Sequence, residues 1–332
     1  MEYRVETHRR APSWLVWAAL WTVYIVWGST YLAIRVTVET LPPLLTGGVR
    51  FLVAGLIVYT VLALKRGWRG VRVTRSELLS SAFVGGALLL GGNGLVVLAE
   101  RDAPSSLAAL IIASVPLWVV LFRYLASEAV SRATLAGVAL GFGGVAILVV
   151  PGDRPGDATL ASILFLVAAA AFWASGSFAS TRLTMPRDPF LSTAVQMLLG
   201  GVWLVAAGLL RGEGAHIDVA GFSAASIWAF LYLIVFGSLL AFTAYVWLLQ
   251  NAPISKVATY AYVNPVIALV LGWVILSEQL TATMLIGATV IVASVAFIVN
   301  KETHQARTGD VEGEHAHSGR KGTVVLAESE AH

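Results

Sequence analysis

Long apolar runs, separated by short polar segments, make up most of the chain. A helix needs about 20 mostly apolar residues to cross a bilayer, and eight uncharged runs of that size occur. A ninth run qualifies if it tolerates Arg50, and another helix fits inside the uncharged stretch 219–255. No alternating pattern typical of membrane strands recurs. The pattern therefore predicts ten spanning helices, at Trp14–Ile34, Leu44–Leu64, Leu78–Ala99, Ala103–Phe122, Ala133–Gly152, Ala158–Thr181, Pro189–Leu210, Ala224–Leu249, Val257–Ser277 and Gln279–Asn300.

The composition shows which surroundings these runs require. Hydrophobic residues make up 58% of the 332 residues and charged residues 12%, whereas soluble domains carry roughly 25% charged residues. So few charges cannot cover the surface of a soluble fold, and lipid is the expected surroundings. The absence of cysteine excludes disulfides, thiolate metal sites and cysteine nucleophiles. The predicted fold class is an all-α integral membrane protein.

The positions of Lys and Arg predict the orientation. With ten helices, both termini lie on the same face of the membrane. Of the 22 Lys and Arg residues, 17 then fall on that face, four fall on the opposite face, and Arg50 lies within a helix. Cytoplasmic loops carry the excess of Lys and Arg in membrane proteins. We therefore expect both termini in the cytoplasm.

The two halves of the sequence resemble each other at a nearly constant spacing. Each half holds five predicted helices, so the second half must be inverted relative to the first. Inverted repeats are a hallmark of secondary transporters, although a duplicated bundle without a transport role would give the same pattern. The matched features, at offsets of 146 to 150, are Trp27-Gly28-Ser29 with Trp173-Ala174-Ser175, Arg50 with Gln196, Asp102-Ala103-Pro104 with Asn251-Ala252-Pro253, Pro116 with Pro265, Glu128 with Glu278, and Gly137 with Gly287.

These repeats define the expected domain organisation. Residues 1–13 form a cytoplasmic N-terminus, 14–150 the first repeat, 159–299 the second repeat, and 300–332 a tail. The tail is rich in Glu, His, Gly and Ser without apolar periodicity, which predicts a disordered cytoplasmic segment. Its run Glu314-His315-Ala316-His317 could touch a metal, but no further ligand stands at a metal-site spacing. No metal site and no cofactor is expected.

Several motifs between residues 14 and 299 form a recognisable set. They are Trp27-Gly28-Ser29-Thr30-Tyr31, Pro42-Pro43, Arg50-Phe51, the run from Ala103-Pro104-Ser105 through Pro116 and Glu128 to Gly137 with its copy in the second half, and Tyr260-Ala261-Tyr262-Val263-Asn264-Pro265. This set resembles the EamA-type drug/metabolite transporter superfamily, in its ten-helix exporter branch. The resemblance implies two inverted five-helix repeats, a bacterial inner (plasma) membrane location, export of metabolites or drugs, and no cofactor. It specifies no substrate.

Two prolines are candidates for gating. Pro116 and Pro265 are repeat mates inside predicted helices four and nine, and an internal proline kinks a helix. Matched kinks would suit two gates that open in turn, while static kinks that help packing remain an alternative. Asn264 precedes Pro265, and Tyr260 lies one turn earlier. Because a buried amide needs a partner, Asn264 is expected to bind either the solute or the broken backbone at Pro265.

Aromatic and polar residues within the spans are candidates for a solute-binding cavity. Trp27 and Tyr31 share a face of helix one, and their counterparts Trp173 and Ser177 share a face of helix six. Paired aromatics would hold an apolar or aromatic solute by stacking, and packing or an interfacial belt is the alternative. Asn93 lies in a glycine-rich part of helix three. The family resemblance implies a site among helices one, three, four, six, eight and nine, and adds Tyr245.

Four charged residues call for an interpretation. Arg50 lies about six residues inside helix two, where it either attracts a carboxylate or, as we favour, snorkels to the outer surface or pairs with loop carbonyls. Glu100 lies at the outer end of helix three, and we favour a solvated helix end over a proton- or solute-binding group. Glu128 and Glu278 occupy matched turns and are expected to cap the next helix.

These patterns favour a secondary exporter that works by alternating access. The expected solute is amino-acid-like, aromatic or amphipathic, and lipid is the other expected partner, with no nucleic acid. The protein is expected to be a monomer or a homodimer. No Walker A motif occurs, so the chain does not hydrolyse ATP. An intramembrane enzyme acting on lipids is one alternative, but no predicted span of this chain contains a histidine for catalysis. A passive channel or lipid-handling protein is the other alternative. Coupling would be either facilitated diffusion or proton coupling through Glu100.

Overall fold

The computed structural model describes residues 12–149 and 158–301, and this part of the chain is helical without strands. The prediction of ten helices is confirmed. Nine are long and apolar enough to cross a membrane, and the ninth in chain order is shorter. The expected tail and its Glu314–His317 run lie outside the described residues. The helices are α1 Ser13–Val38, α2 Pro43–Arg66, α3 Arg75–Ala99, α4 Ser105–Leu125, α5 Arg132–Val149, α6 Leu160–Ser180, α7 Pro189–Leu210, α8 Ala224–Asn251, α9 Tyr260–Leu276 and α10 Ala282–Lys301.

Local sequence explains where several helices begin. Thr74 and Glu77 form a reciprocal capping box at the start of α3, and Thr159 with Ser162 does the same for α6. Asp188 caps α7, since its carboxylate accepts from the amide of Leu191 at 2.8 Å. These side chains satisfy backbone N–H groups that the first turn of a helix leaves free. The polar segments between apolar runs therefore also set the helix starts.

Two helices carry a wider, π-helical segment that the apolar pattern did not predict. In α3 it spans Gly86–Gly94, and in α8 it spans Leu233–Leu240. The two segments are related by the offset of the sequence repeats. π-helical turns are rare and frequently occur at functional sites. Their presence at matched places marks the same part of both repeats.

The helices that carry the two candidate gating prolines differ in form. Helix α4 consists of Ser105–Ile112 and Val115–Leu125, and Pro116 stands in the first turn of the second part. A proline is well tolerated there because the N–H that it lacks has no partner in a first turn. Pro265 lies inside the continuous helix α9, which follows a short helix at Ile254–Val257. Pro116 therefore follows a helix break, whereas Pro265 is an internal proline.

Close glycine contacts hold the two repeats together. Helices α2 and α7, which are repeat mates, pack along their lengths, and a Cβ added at Gly48 would lie 3.0 Å from the carbonyl oxygen of Gly201. Helix α1 packs on α9 through Gly28, and α6 packs on α3 through Gly92. Glycine permits such approaches between membrane helices. The first helix of each repeat thus packs against a helix of the other repeat.

The connections between helices lie on two opposite faces of the bundle, as the contacts near the helix ends show. On one face, Arg35 donates to the backbone carbonyl of Glu100, and the amide of Ser223 donates to Thr40 at 3.1 Å. On the opposite face, Arg66 pairs with Asp188 at 2.9 Å. We name the first face outer and the second inner, following the orientation that the Lys and Arg distribution predicts. Many large apolar side chains point outward from the bundle, as expected in lipid.

Candidate functional site

Three aromatic rings from three helices meet inside the bundle. The ring centroid of Trp27 in α1 lies 5.1 Å from that of Tyr245 in α8 and 5.4 Å from that of Tyr260 in α9. The two tyrosine rings are 5.6 Å apart, nearly perpendicular. These distances are typical of edge-to-face aromatic packing. The structure therefore brings together residues that the sequence suggested separately, and we call Trp27, Tyr245 and Tyr260 the aromatic cluster.

The π-helical segment of α8 supports this cluster. The indole nitrogen of Trp27 donates to the carbonyl oxygen of Gly237 at 3.2 Å. Carbonyls in a π-helical turn are less regularly paired than in an α-helix, so they are available to side chains. The unusual backbone of α8 thus fixes the orientation of the Trp27 ring. Hydropathy gave no signal for this contact.

The structure does not place the two repeat-mate tryptophans in one cluster. Trp173 in α6 packs against Gly92 in the π-helical segment of α3. Ser177 donates to the carbonyl of Trp173 in its own helix at 2.9 Å. Tyr31 neighbours Tyr260 and Glu100 closely enough to interact electrostatically with both. The candidates therefore form two groups, one around the aromatic cluster and one along α3 and α6.

Two asparagines have side-chain oxygens without a hydrogen-bond partner among the described residues. They are Asn93, in the π-helical segment of α3, and Asn264, which is 8% exposed in α9. Buried polar atoms are almost always satisfied, so each of these oxygens calls for a ligand or a water molecule. The oxygen of Asn264 accepts no hydrogen bond from the described residues. Binding of the solute and donation by the amide nitrogen to the backbone freed by Pro265 therefore both stay predictions.

Arg50 does not lie where the sequence suggested. We expected its side chain to snorkel to the outer surface or to pair with loop carbonyls, but it is 6% exposed and donates through Nε to Ser238 of α8 at 2.8 Å. Only a hollow of about 10 Å³ adjoins it. The reason is that α2 packs against the π-helical segment of α8, so a serine hydroxyl lies nearer than the surface. The expectation of a surface position was wrong.

Glu100 also corrects an expectation. Its side chain was expected to be a solvated helix end, but it is 0% exposed, and neither carboxyl oxygen has a hydrogen-bond partner among the described residues. Burial raises the pKa of this carboxyl well above the usual range, and the charge of Glu278 raises it further, while Arg35 acts in the opposite sense. Glu100 directly follows the last residue of α3, on the outer face.

The matched glutamates Glu128 and Glu278 do not cap the helices that follow them. Each comes after a serine in the left-handed conformation, with φ 61° at Ser127 and 54° at Ser277. Glu278 binds the start of α4 instead, and its carboxylate accepts from the amides of Ser105 at 2.7 Å and Ser106 at 3.0 Å. A contact between the repeats, rather than one within the turn, decides the partners of Glu278. The expected capping role was right in kind for Glu278 but assigned to the wrong helix.

Glu128 occupies the matching turn on the inner face and binds two arginines. Its carboxylate accepts from Arg123 at 2.8 Å and forms an ion pair with Arg182 of the second repeat. Among the described residues it binds no helix N-terminus. The same turn therefore holds the repeats together on both faces, through backbone amides outside and through arginines inside.

An outer cavity that sequence reasoning missed lies between the two repeats. It measures about 360 Å³ and is lined by the α1–α2 turn, Arg101, Arg211, Glu213 and Phe222. Glu213 closes its floor, since its carboxylate accepts from the amide of Leu45 at 2.9 Å. The sequence offered one signal for this cavity, because Arg101, Arg211 and Glu213 are charged residues in predicted outer loops that carry few other charges. The described part of the chain contains no group of three or more possible metal ligands.

The protein consists of ten helices in two inverted halves, which carry matched irregular segments and aromatic and polar side chains at their centre. This architecture defines a multi-pass membrane transporter. The particular family follows from the sequence. The chain belongs to the EamA-like transporter family, whose sequence model matches residues 13–150 and 160–300.

Related proteins agree with this assignment. The inner membrane transporter YedA of Escherichia coli (strain K12) is 37% identical over 287 residues, covering 85% of this chain and 90% of YedA. A probable amino-acid metabolite efflux pump of Salmonella typhimurium is 26% identical over 283 residues, covering 82% of this chain and 91% of the pump. A protein of known crystal structure matches with a TM-score of 0.59 at 21% identity, covering 87% of this chain and 98% of its own, which shows the shared fold.

Proposed function

We propose that this protein is a secondary transporter that exports a small solute by alternating access. The solute binds beside the aromatic cluster, where Asn264 presents a buried oxygen that accepts no hydrogen bond from the described residues. This oxygen is the observation that carries the proposal, because a buried acceptor of this kind suits a donor group on a ligand. The protein acts without a cofactor and is not an enzyme.

The chemistry of the site supports an amino-acid-like, aromatic or amphipathic solute. Trp27, Tyr245 and Tyr260 offer ring faces and edges to an apolar group. The oxygens of Asn93 and Asn264 would accept from an ammonium or amide group. The candidate residues Trp27, Asn93, Tyr245, Tyr260 and Asn264 are all uncharged, so they offer no counter-charge to a polyanion. The probable function of the Salmonella relative, efflux of amino-acid metabolites, fits this class.

Counterflow in proteoliposomes tests this proposal. Vesicles loaded with unlabelled phenylalanine should take up labelled phenylalanine transiently, and a panel of other amino acids and aromatic amines extends the assay. A carrier gives saturable counterflow, whereas a passive channel gives none. We expect Trp27→Ala and Asn264→Ala to reduce counterflow at least about tenfold, which corresponds to about 1.4 kcal/mol of lost binding.

Matched controls separate loss of the site from loss of the fold. Trp21→Ala removes a half-exposed tryptophan from the same helix, and Asn251→Ala removes an exposed asparagine. Both should leave counterflow unchanged. Equal losses in the control and site variants, or no counterflow with any solute of the panel, would argue against the proposed site and mechanism.

A further inference from the structure

Glu100 is a buried acid whose carboxyl group has no partner. It is 0% exposed, and both of its carboxyl oxygens lack a hydrogen-bond donor among the described residues. An ionised carboxylate in such a place would be very unfavourable, because neither water nor a donor stabilises its charge. The carboxyl group in this conformation therefore suits the neutral, protonated form.

The charged groups around Glu100 are engaged elsewhere. The guanidinium of Arg35 in α1 donates to the backbone carbonyls of Glu100 and Arg101 rather than to the carboxyl group. The carboxylate of Glu278, from the α9–α10 loop, is held by the amides and hydroxyls of Ser105 and Ser106. Of the two neighbouring acids, Glu278 thus has four donors and Glu100 has none.

The other titratable neighbours do not supply a counter-charge. Tyr31 of α1 interacts with Glu100 electrostatically, but its neutral hydroxyl group supplies no counter-charge. Arg101 and Asp102 follow Glu100 directly in the chain, and both are exposed on the outer face. Neither of the two hollows described above is lined by Glu100. A proton needs no cavity of its own, so it suits a buried carboxyl group without a hydrogen-bond donor.

We propose that Glu100 is a proton-binding site that controls the closing of the outer face. This inference rests on the proposed transport function and names the proton as a ligand of its outer closure. A proton from the outer solution adds to the carboxylate when the outer loops separate, and an O–H bond forms. The loops then close over the neutral acid. When the outer loops separate again, the O–H bond breaks, the proton returns to the outer solution, and the carboxylate is restored.

Infrared spectroscopy of the full-length protein in lipid nanodiscs tests the proton site directly, with the proton as the probe. A protonated carboxylic acid has a carbonyl stretching band that a carboxylate lacks. We expect this band at neutral pH in the wild-type protein, its loss in Glu100→Gln, and its retention in the control Asp102→Asn. Raising the pH should convert the wild-type band into that of a carboxylate.

The outcomes separate this inference from the transport proposal. A wild-type spectrum identical to that of Glu100→Gln at neutral pH overturns the proton site, whether or not counterflow is observed. A band assigned to Glu100 in a protein that shows no counterflow supports the proton site and argues against transport alone. If the glutamine variant does not fold, Glu100→Asp keeps the acid and should shift the band in frequency, and an unshifted band would overturn the inference.

Discussion

Individual side chains acquired their partners from distant parts of the sequence. Arg50 binds Ser238, which lies 188 positions later, and the charge of Glu278 from the other repeat acts on Glu100. The position of Glu100 at the end of an apolar run suggested a solvated residue, because the sequence does not show such neighbours. Trp27, by contrast, could be placed in the interior because its depth follows from counting residues along one helix. Depth along a helix is predictable, whereas partners across the bundle are not.

The burial of Glu100 predicts a pH dependence of stability. The pKa of its carboxyl group is raised in the folded protein, first by burial and second by the charge of Glu278. The neutral acid therefore contributes stability that is fully present below the unfolded-state pKa of about 4.3. This contribution is lost as the pH rises through the higher folded-state pKa. We expect the melting temperature of the wild-type protein to fall across this window.

Thermal unfolding of the purified protein as a function of pH provides the measurement. Glu100→Gln removes the titrating group, so its melting temperature should fall less over the same window. Asp102→Asn, which changes an exposed neighbour, should follow the wild-type curve. Parallel curves for the wild-type protein and Glu100→Gln would contradict this explanation.

The helices of the fold likewise show some features that the sequence predicts and others that it does not. The apolar runs predicted the spanning helices because hydropathy and length decide whether a segment can cross lipid. They could not predict the π-helical segments Gly86–Gly94 and Leu233–Leu240 or the break in α4. A wider turn changes the backbone pairing but not the hydropathy of the residues. The glycines at 91, 92 and 94 permit close approach of another helix, but they do not by themselves indicate a π-helical turn.

The packing of α1 on α9 gives a prediction at this scale. A Cβ added at Gly28 would lie 2.7 Å from the Cγ2 atom of Ile267 and 3.2 Å from the carbonyl oxygen of Asn264. Gly28→Ala must therefore push the two helices apart, and overpacking of this kind costs about 1–3 kcal/mol. The variant should melt at a lower temperature and should also lose counterflow, because Asn264 moves with α9.

Gly143→Ala is the matched control for this change. An added Cβ there meets no atom within 4 Å, and Gly143 is an exposed helical residue of α5. Alanine at such a position is expected to be neutral or to stabilise the protein by about 0.4–1 kcal/mol. Equal melting temperatures for the two variants would show that α1 and α9 are not packed as tightly as the structure indicates.

At the scale of the whole molecule, the sequence repeat was the most informative feature. Its nearly constant offset predicted two inverted halves, and the structure adds matched details, including the left-handed serines Ser127 and Ser277. The matched turns nevertheless hold different partners on the two faces. Glu278 binds backbone amides of α4 outside, and Glu128 binds arginines inside. A bundle with different closures on its two faces can open one face while the other stays closed.

The two glutamates therefore provide a way to shift the conformation without a known solute. Glu278→Gln weakens the outer closure, because a neutral amide accepts less strongly from the amides and hydroxyls of Ser105 and Ser106. Glu128→Gln removes the ion pairs of the inner closure. Because the chain contains no cysteine, pairs of introduced cysteines can be spin-labelled selectively. Repeat-mate positions give comparable pairs, Asp102→Cys with Gln279→Cys outside and Asn251→Cys with Ala129→Cys inside.

Electron–electron distance measurements on these two pairs test the alternating opening of the inverted repeats most directly. We predict that Glu278→Gln lengthens the outer distance without lengthening the inner one, and that Glu128→Gln does the reverse. Distances that stay constant in both variants, or that lengthen together on both faces, would contradict the account.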